Sequence, residues 1–139
     1  MNAINLVFEV NTDDEFSVVI NCAAIPGLAP SFANPEKYWQ ENVYQLDSFL
    51  EKLGGKCRTL IHLSTSSVYG DVAVGDESRE PNPISPYGES KLEAERIVEQ
   101  YSATHNLQTS IARLFSVYGP RQRDDMAYTK FMKAMLKGQ

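Results

Sequence analysis

Three apolar runs rich in β-branched residues alternate with segments of helical periodicity. The runs occupy residues 17–23, 59–63 and 109–115. Because apolar character is nearly continuous along each run, the pattern predicts strands of a parallel sheet that is covered on both faces. Residues 4–16 are ambiguous between strand and helix.

Apolar side chains at helical spacing predict three helices. The predicted helices cover residues 35–53, 86–104 and 126–137. Asn34 and Ser85 precede the first two as N-caps, each followed by a proline at the first helical position. Gly54 ends the first helix. Phe131 and Met135 are predicted to lie on one side of the third.

The alternation of strands and helices predicts an α/β fold with right-handed crossovers. In open α/β sheets, ligands bind beyond the carboxyl ends of the strands. The segments that follow Ala23 and Leu63 are therefore predicted to border the functional site.

Length and composition narrow the class of protein. The chain has 139 residues, a net charge of −5 and 42 % hydrophobic residues, which is typical of one globular domain or a piece of a larger one. The acidic balance argues against a general nucleic-acid binder. Neither an apolar run of membrane length nor a signal peptide is evident, so a cytoplasmic protein with no membrane partner is expected. Cys22 and Cys57 form no CxxC pair, and no cluster of about four metal ligands is evident, which predicts buried free thiols and no metal site.

The clearest candidate chemistry is the pair Tyr87 and Lys91. Residues four apart share a helix face, so the phenol and the ammonium can point into one cleft. Lowering the pKa of a tyrosine from about 10 to about 7 requires about 4 kcal/mol. A lysine charge about 6 Å away supplies about 3 kcal/mol at an effective dielectric near 20. A second positive charge would complete the shift, and an oxidised nicotinamide ring is one candidate. Taken alone, such a pair also occurs on solvated helix faces.

Two further segments each have a functional and a structural interpretation. The hydroxyl groups of residues 64–67 follow a predicted strand and are placed to bind a substrate oxygen, or else they cap their own turn. The small residues Ala23 and Ala24 let a ligand approach the backbone, or else they allow tight helix packing. A glycine loop that would cradle a pyrophosphate, of the form GxGxxG or GxxGxxG, does not occur in this sequence.

In combination these motifs resemble the extended short-chain dehydrogenase/reductase family, in its NAD-dependent sugar-nucleotide epimerase/dehydratase branch. The matching pieces are VINCAAIPG, NPEKYWQENV, STSSVYG, PISPYGESK, RLFSVYGP and RQRDDMAYTKF. The resemblance implies an α/β fold with a partial Rossmann-like, doubly wound parallel sheet. It implies a UDP-sugar 4-epimerase similar to UDP-glucose and UDP-glucuronate 4-epimerases, with NAD as cofactor and NADP still open.

The resemblance also implies roles for individual residues. Tyr87 would be the catalytic base, Lys91 its pKa partner and ribose ligand, and Thr65 the catalytic hydroxyl. The implied cofactor-binding residues are Cys22, Ala23, Ala24, Ile25, Asn42, Tyr87, Lys91 and Phe115. The implied substrate-binding residues are Ser66, Ser116 and Arg123.

The sequence departs from the family pattern at several positions. Family dehydratases carry an Asp-Glu pair after the catalytic threonine, where this chain has Ser66 and Ser67, so dehydration is disfavoured. Ser116 replaces an asparagine that contacts the substrate, and Asp124 replaces a common proline. A nucleotide-sugar reductase or dehydratase of the same family, and a non-catalytic truncated remnant, stay as alternatives.

The resemblance further implies how the chain is organised. Residues 1–120 would be the C-terminal part of the NAD(P)-binding Rossmann domain, and residues 121–139 the start of the substrate-binding region. The first βαβ unit with its glycine-rich loop has no counterpart, so a fragment that binds NAD poorly is expected. A homodimer through the helix that carries Tyr87 is implied by analogy.

Overall fold

The computed structural model describes residues 15–138, and it contains one parallel three-stranded sheet. Its strands are β1 (Phe16–Asn21), β2 (Cys57–Thr65) and β3 (Gln108–Leu114), in the spatial order β1-β2-β3. The register pairs Asn21 with His62 and Thr65 with Leu114. The three predicted strands and their parallel pairing are thus confirmed. Residues 4–14 of the ambiguous stretch lie outside the described residues, and its end, Phe16, begins β1.

The helices follow the predicted order, with additions. They are α1 (Leu28–Ala33), α2 (Pro35–Trp39), α3 (Gln45–Leu53), α4 (Pro86–His105) and α5 (Ala127–Leu136). A π-helical turn, Gln40–Tyr44, joins α2 to α3, so the predicted helix 35–53 is one helical segment with a local widening. Neither α1 nor the 3₁₀ turn Ser66–Tyr69 was predicted.

The helix ends form where the cap residues predict them. Asn34 Oδ1 accepts a hydrogen bond from the Lys37 amide at 3.2 Å, and Ser85 Oγ accepts one from the Gly88 amide at 3.1 Å. Gly54 adopts the left-handed conformation that ends α3, with φ +55°. The Ser85 cap fixes the start of α4, which carries Tyr87.

The core lies between one face of the sheet and the helices α3 and α4. Its buried side chains include Leu46, Leu50 and Leu53 of α3, Leu60 of β2, and Ala94, Val98 and Tyr101 of α4. Two right-handed crossovers that advance in the same direction along a sheet place their helices on the same face. On the other face, Val18 and Ile20 are 52 % and 59 % exposed. The prediction that both faces are covered therefore holds for only one face among the described residues.

The last helix is exposed along its length. Phe131 and Met135 of α5 are 67 % and 76 % exposed, and none of its residues is buried. The predicted apolar side of this helix forms, and most of it is exposed within the described residues, where Tyr118 contacts Tyr128. Within residues 15–138, no helix is long and apolar enough to cross a membrane.

Candidate active site

The carboxyl ends of β1 and β2 lie side by side, and the candidate residues gather there. Thr65 is the last residue of β2 and caps the 3₁₀ turn that follows. Its Oγ1 accepts a hydrogen bond from the Ser67 amide at 3.2 Å and donates one to Ser67 Oγ at 3.3 Å. Ser66 is half-buried in the same turn. A hydroxyl is thus held at the edge of the sheet where ligands bind in such folds.

A close approach at Gly88 brings the first turn of α4 against this 3₁₀ turn. A Cβ atom added to Gly88 would lie 2.7 Å from the Ser67 carbonyl oxygen and 3.0 Å from the Pro83 ring. Only glycine fits this gap, because the obstructing oxygen belongs to the backbone. Tyr87 precedes Gly88, so the contact fixes the backbone of Tyr87 next to the turn that begins at Thr65.

Tyr87 is half-buried and packs against another tyrosine. Its ring meets that of Tyr38 edge to face, with 6.0 Å between centroids. The Tyr38 hydroxyl donates to the Pro26 carbonyl at 3.1 Å. Burial and the neighbouring Tyr87 raise the pKa of Tyr38, and Arg123 opposes this. Arg123, from the segment after β3, therefore exerts its charge on Tyr38, although its own side chain is half exposed.

Lys91 lies one turn further along α4 and is 2 % exposed. Its Nζ donates to the Leu63 carbonyl at 2.8 Å and lies 3.2 Å from His62 Nε2. Burial lowers the pKa of Lys91 to about 8, against the opposing effect of Glu95. Its charge at the end of β2 is therefore easily lost, unlike that of a solvated lysine.

Glu95 is a further buried charge on the same face of α4. Its carboxylate accepts a hydrogen bond from Ser64 and is held by Arg113, with 2.8 Å between Nη2 and Oε2 and 3.1 Å between Nε and Oε1. The Arg113 guanidinium also covers the Tyr69 ring, 4.8 Å from its centroid. The bidentate pair raises the pKa of Arg113, so this ion pair ties α4 to the ends of β2 and β3.

The loop after β1 is fastened by Asn42, which lies in the π-helical turn. Asn42 Oδ1 accepts from the Ile25 amide at 2.8 Å, and its Nδ2 donates to the Ile25 carbonyl at 3.3 Å and to Ser90 Oγ at 3.1 Å. Ser90 in turn donates to the Tyr87 carbonyl at 2.9 Å. Cys22, Ala23 and Ala24 are exposed along this loop. Cys22 is therefore not the buried thiol predicted from the sequence, whereas Cys57 is buried.

The remaining predicted site residues lie apart from this cluster. Phe115 is 61 % exposed and Ser116 is exposed in the segment that follows β3. Arg123 pairs with Asp125 at 2.9 Å, and both side chains are at least half exposed. The structure thus places Thr65 and Lys91 together in one buried group of residues at the end of β2. The predicted substrate residues after β3 lie at the surface.

Three polar residues of the cluster were not singled out as site residues from the sequence: Asn21, His62 and Glu95. Sequence signals could have found two of them. His62 and Ser64 alternate with Ile61 and Leu63 along β2, which puts polar groups on its buried face. Glu95 continues the four-residue spacing of Tyr87 and Lys91 along α4. In the described part of the chain, no group of three or more potential metal ligands comes together.

The sequence of the chain is similar to those of known proteins. The sequence profile described as the NAD dependent epimerase/dehydratase family matches residues 2–139. The chain is 38 % identical over 127 residues to the uncharacterized UDP-glucose epimerase YtcB of Bacillus subtilis, covering 86 % of this chain and 39 % of that protein. It is 34 % identical over 128 residues to UDP-glucuronate 4-epimerase 1 of Arabidopsis thaliana, covering 88 % and 30 %.

The fold has the same relatives. The UDP-glucuronic acid 4-epimerase from Bacillus cereus, crystallised with UDP-glucuronic acid and NAD, superposes with a TM-score of 0.78 at 39 % identity, covering 88 % of this chain and 40 % of that one. RMD from Pseudomonas aeruginosa, complexed with NADPH, superposes with a TM-score of 0.79 at 28 % identity, covering 88 % and 45 %. The chain thus spans less than half the length of these relatives. It belongs to the NAD dependent epimerase/dehydratase family.

Proposed function

We propose that this chain supplies the acid–base residues Thr65, Tyr87 and Lys91 of an NAD-dependent UDP-sugar 4-epimerase. The observation that carries the proposal is the position of Lys91 Nζ on the Leu63 carbonyl, two residues before Thr65, with Tyr87 one helical turn earlier on α4. Relatives named as UDP-glucose and UDP-glucuronate epimerases support the substrate class.

The residues present fit the nicotinamide end of the cofactor. The exposed loop of Cys22, Ala23 and Ala24 offers small side chains beside the end of β1, and Asn42 holds its shape through Ile25. In this proposal Asn42 acts through the loop, since its own amide is buried and bonded. Phe115 would pack against the nicotinamide ring on the side of β3. NAD, when bound, supplies the redox chemistry that reverses the configuration at the sugar carbon.

The chain's own residues supply the acid–base chemistry. Tyr87 would take the proton from the sugar 4-hydroxyl and return it after the sugar has turned. Thr65 would donate a hydrogen bond to the same oxygen. Lys91, as an ammonium, favours the phenolate of Tyr87 and would also bind the ribose. Ser66, Ser116 and Arg123 would contact the nucleotide sugar.

The test grafts this chain into the matching segment of the Bacillus cereus enzyme and assays conversion of UDP-glucuronic acid by product analysis. In the graft, Tyr87→Phe should reduce turnover about a hundredfold or more while NAD binding is unchanged. Tyr44→Phe, at an exposed tyrosine, is the matched control and should turn over normally. A Tyr87→Phe graft as fast as the unmodified one would refute the assignment.

Product analysis also separates the epimerase from its relatives. Ser66 and Ser67 offer hydroxyl groups where a dehydratase of this family has a carboxylate pair, so loss of water is not expected. A net change in the redox state of the cofactor would instead indicate a reductase. Neither is expected from an epimerase, which returns NAD to its starting state.

Three wider proposals rest on the resemblance alone. We propose that the protein acts in the cytoplasm, that it forms a homodimer through α4, and that residues 1–120 belong to the cofactor-binding domain while residues 121–139 begin the substrate-binding region. Sedimentation of the intact protein tests the dimer.

A further inference from the structure

His62 lies between two groups that both donate hydrogen bonds. It is 1 % exposed, with Asn21 Nδ2 at 3.1 Å from Nδ1 and Lys91 Nζ at 3.2 Å from Nε2. A neutral imidazole has one N–H and one lone pair, so it cannot accept from both neighbours. Either the Asn21 amide or Lys91 must therefore accept a hydrogen bond from the ring instead of donating one to it.

The orientation of Asn21 resolves part of this conflict. Asn21 Oδ1 accepts the Ala23 amide at 3.0 Å, and turning the side-chain amide over would break that bond. The Nδ2 group therefore faces His62, and an amide nitrogen only donates. It follows that His62 Nδ1 is the acceptor and that the ring hydrogen resides on Nε2.

The tautomer then determines what Lys91 can be. An Nε2–H that points at Nζ is satisfied only if Nζ has a lone pair, which is the amine form of lysine. The amine still has two hydrogens, one of which serves the Leu63 carbonyl at 2.8 Å. An ammonium in the same place would direct a hydrogen at the ring hydrogen.

The surrounding charges are compatible with this arrangement. Of the charged groups on α4, Glu95 favours the ammonium of Lys91, but its carboxylate is already held by Arg113 of β3 and by Ser64 of β2. Burial lowers the pKa of His62 to about 3 and that of Lys91 to about 8. A neutral ring and a readily deprotonated lysine agree with the hydrogen-bond count.

We propose that Asn21 and His62 form a positioning pair for Lys91, in which the Nε2–H tautomer of His62 holds Nζ at the end of β2 and favours its amine form. The pair acts through Lys91 and touches neither substrate nor cofactor. Its consequence for catalysis rests on the proposed function: Lys91 assists Tyr87 only as an ammonium, so turnover should fall as the pH rises through the pKa of Lys91.

The first test reads the tautomer directly in the natural sequence. Long-range ¹H–¹⁵N correlation of the histidine rings distinguishes Nε2–H from Nδ1–H without NAD or sugar. His105→Gln assigns the signals, because the chain has two histidines. At about pH 9, above the Lys91 pKa, His62 should show the Nε2–H pattern. An Nδ1–H pattern or a doubly protonated ring would overturn the proposal.

The second test reverses the direction of the hydrogen bond between residue 21 and His62. Asn21→Asp keeps an acceptor for the Ala23 amide but replaces the donor that faces Nδ1 with a carboxylate oxygen. His62 should switch to Nδ1–H, and the pKa of the Lys91 Nζ should rise by about one unit in an NMR titration. Asn82→Asp adds the same charge at an exposed position and should change neither reading. An Asn21→Asp protein with the original tautomer and an unchanged Lys91 titration contradicts the proposal.

Kinetics separate this inference from the function on which its consequence rests. In an active protein, Asn21→Asp should move the alkaline fall in kcat to higher pH by about one unit, in step with Lys91. A switched tautomer with an unmoved pH profile keeps the positioning pair and refutes the role of the Lys91 charge in turnover. An unswitched tautomer refutes the pair, whatever the activity. If Asn21→Asp does not fold, the reading on the natural sequence still decides the tautomer.

Discussion

The two sides of the candidate active site differ in how their polar groups are held. On the α4 side, Lys91 and Glu95 are each 2 % exposed and every contact of their charged ends is specified by β2 or β3. On the α5 side, Arg123 forms its ion pair in solvent and the apolar face of the helix is exposed. Burial gives the first side a unique geometry, because an unpaired polar group there would carry a large desolvation cost.

The difference indicates which part of the site is formed by this segment of the protein. The proposed catalytic hydroxyl, phenol and lysine come from β2 and α4, which pack against each other directly. The predicted substrate residues Ser116 and Arg123 come from a segment that few described residues cover. The described residues therefore hold the proposed acid–base groups in fixed contacts, whereas they leave the predicted substrate residues exposed.

Among the substitutions that compare the two sides, the largest effect is expected from breaking the buried ion pair. Arg113→Ala leaves the Glu95 carboxylate buried without its cation, and the free energy of unfolding should fall by about 3 kcal/mol. Urea denaturation measures this. Arg123→Ala removes an exposed pair with Asp125 and should cause no measurable loss. Equal losses in the two variants would mean that the sides do not differ.

A second effect tests the contact that seats α4. Gly88→Ala places a methyl group 2.7 Å from the Ser67 carbonyl oxygen, so the helix or the turn must shift. We expect a loss of about 2 kcal/mol in the free energy of unfolding, measured with urea. Glu89→Ala, at the exposed neighbouring position, is the control. An unchanged stability in Gly88→Ala would show that the 3₁₀ turn yields freely.

The pH dependence of stability sharpens the contrast further. The pKa of His62 falls from 6.5 to about 3 on folding, so below 6.5 the unfolded chain binds a proton that the folded chain does not. This contribution to stability is present above pH 6.5 and is lost as the pH falls towards 3, by about 1.4 kcal/mol per pH unit. Urea midpoints between these values measure the slope. His62→Phe should flatten it; a slope equal to that of the natural sequence contradicts the assignment.

The smallest effect is expected on the exposed helix. Met135→Gln replaces an apolar side chain that is 76 % exposed, so the free energy of unfolding should change by less than about 0.5 kcal/mol. Leu50→Ala, in the core, is the matched contrast and should cost about 3 kcal/mol. A large loss in Met135→Gln would mean that α5 packs against residues of this chain, and the contrast between the two sides would fail.

Local sequence signals were sufficient for the elements and for placing the main candidate pair on one helix. The strands follow from β-branched runs, and the helix starts follow from Asn34 and Ser85, because these signals act within a few residues of the chain. The spacing of Tyr87 and Lys91 places them on one helix face without tertiary information. The placement of the site at the ends of β1 and β2 follows from parallel pairing alone.

Contacts between elements were decided only by the tertiary structure. The meeting of Lys91 with His62, and of Glu95 with Arg113, joins residues 29 and 18 positions apart, and no local pattern specifies such partners. The exposure of α5 likewise depends on what lies next to it. The sequence by itself thus determined which elements form and which polar groups share one helix face. Packing determined which of those groups are buried away from water, and burial decides which of them keep their charge.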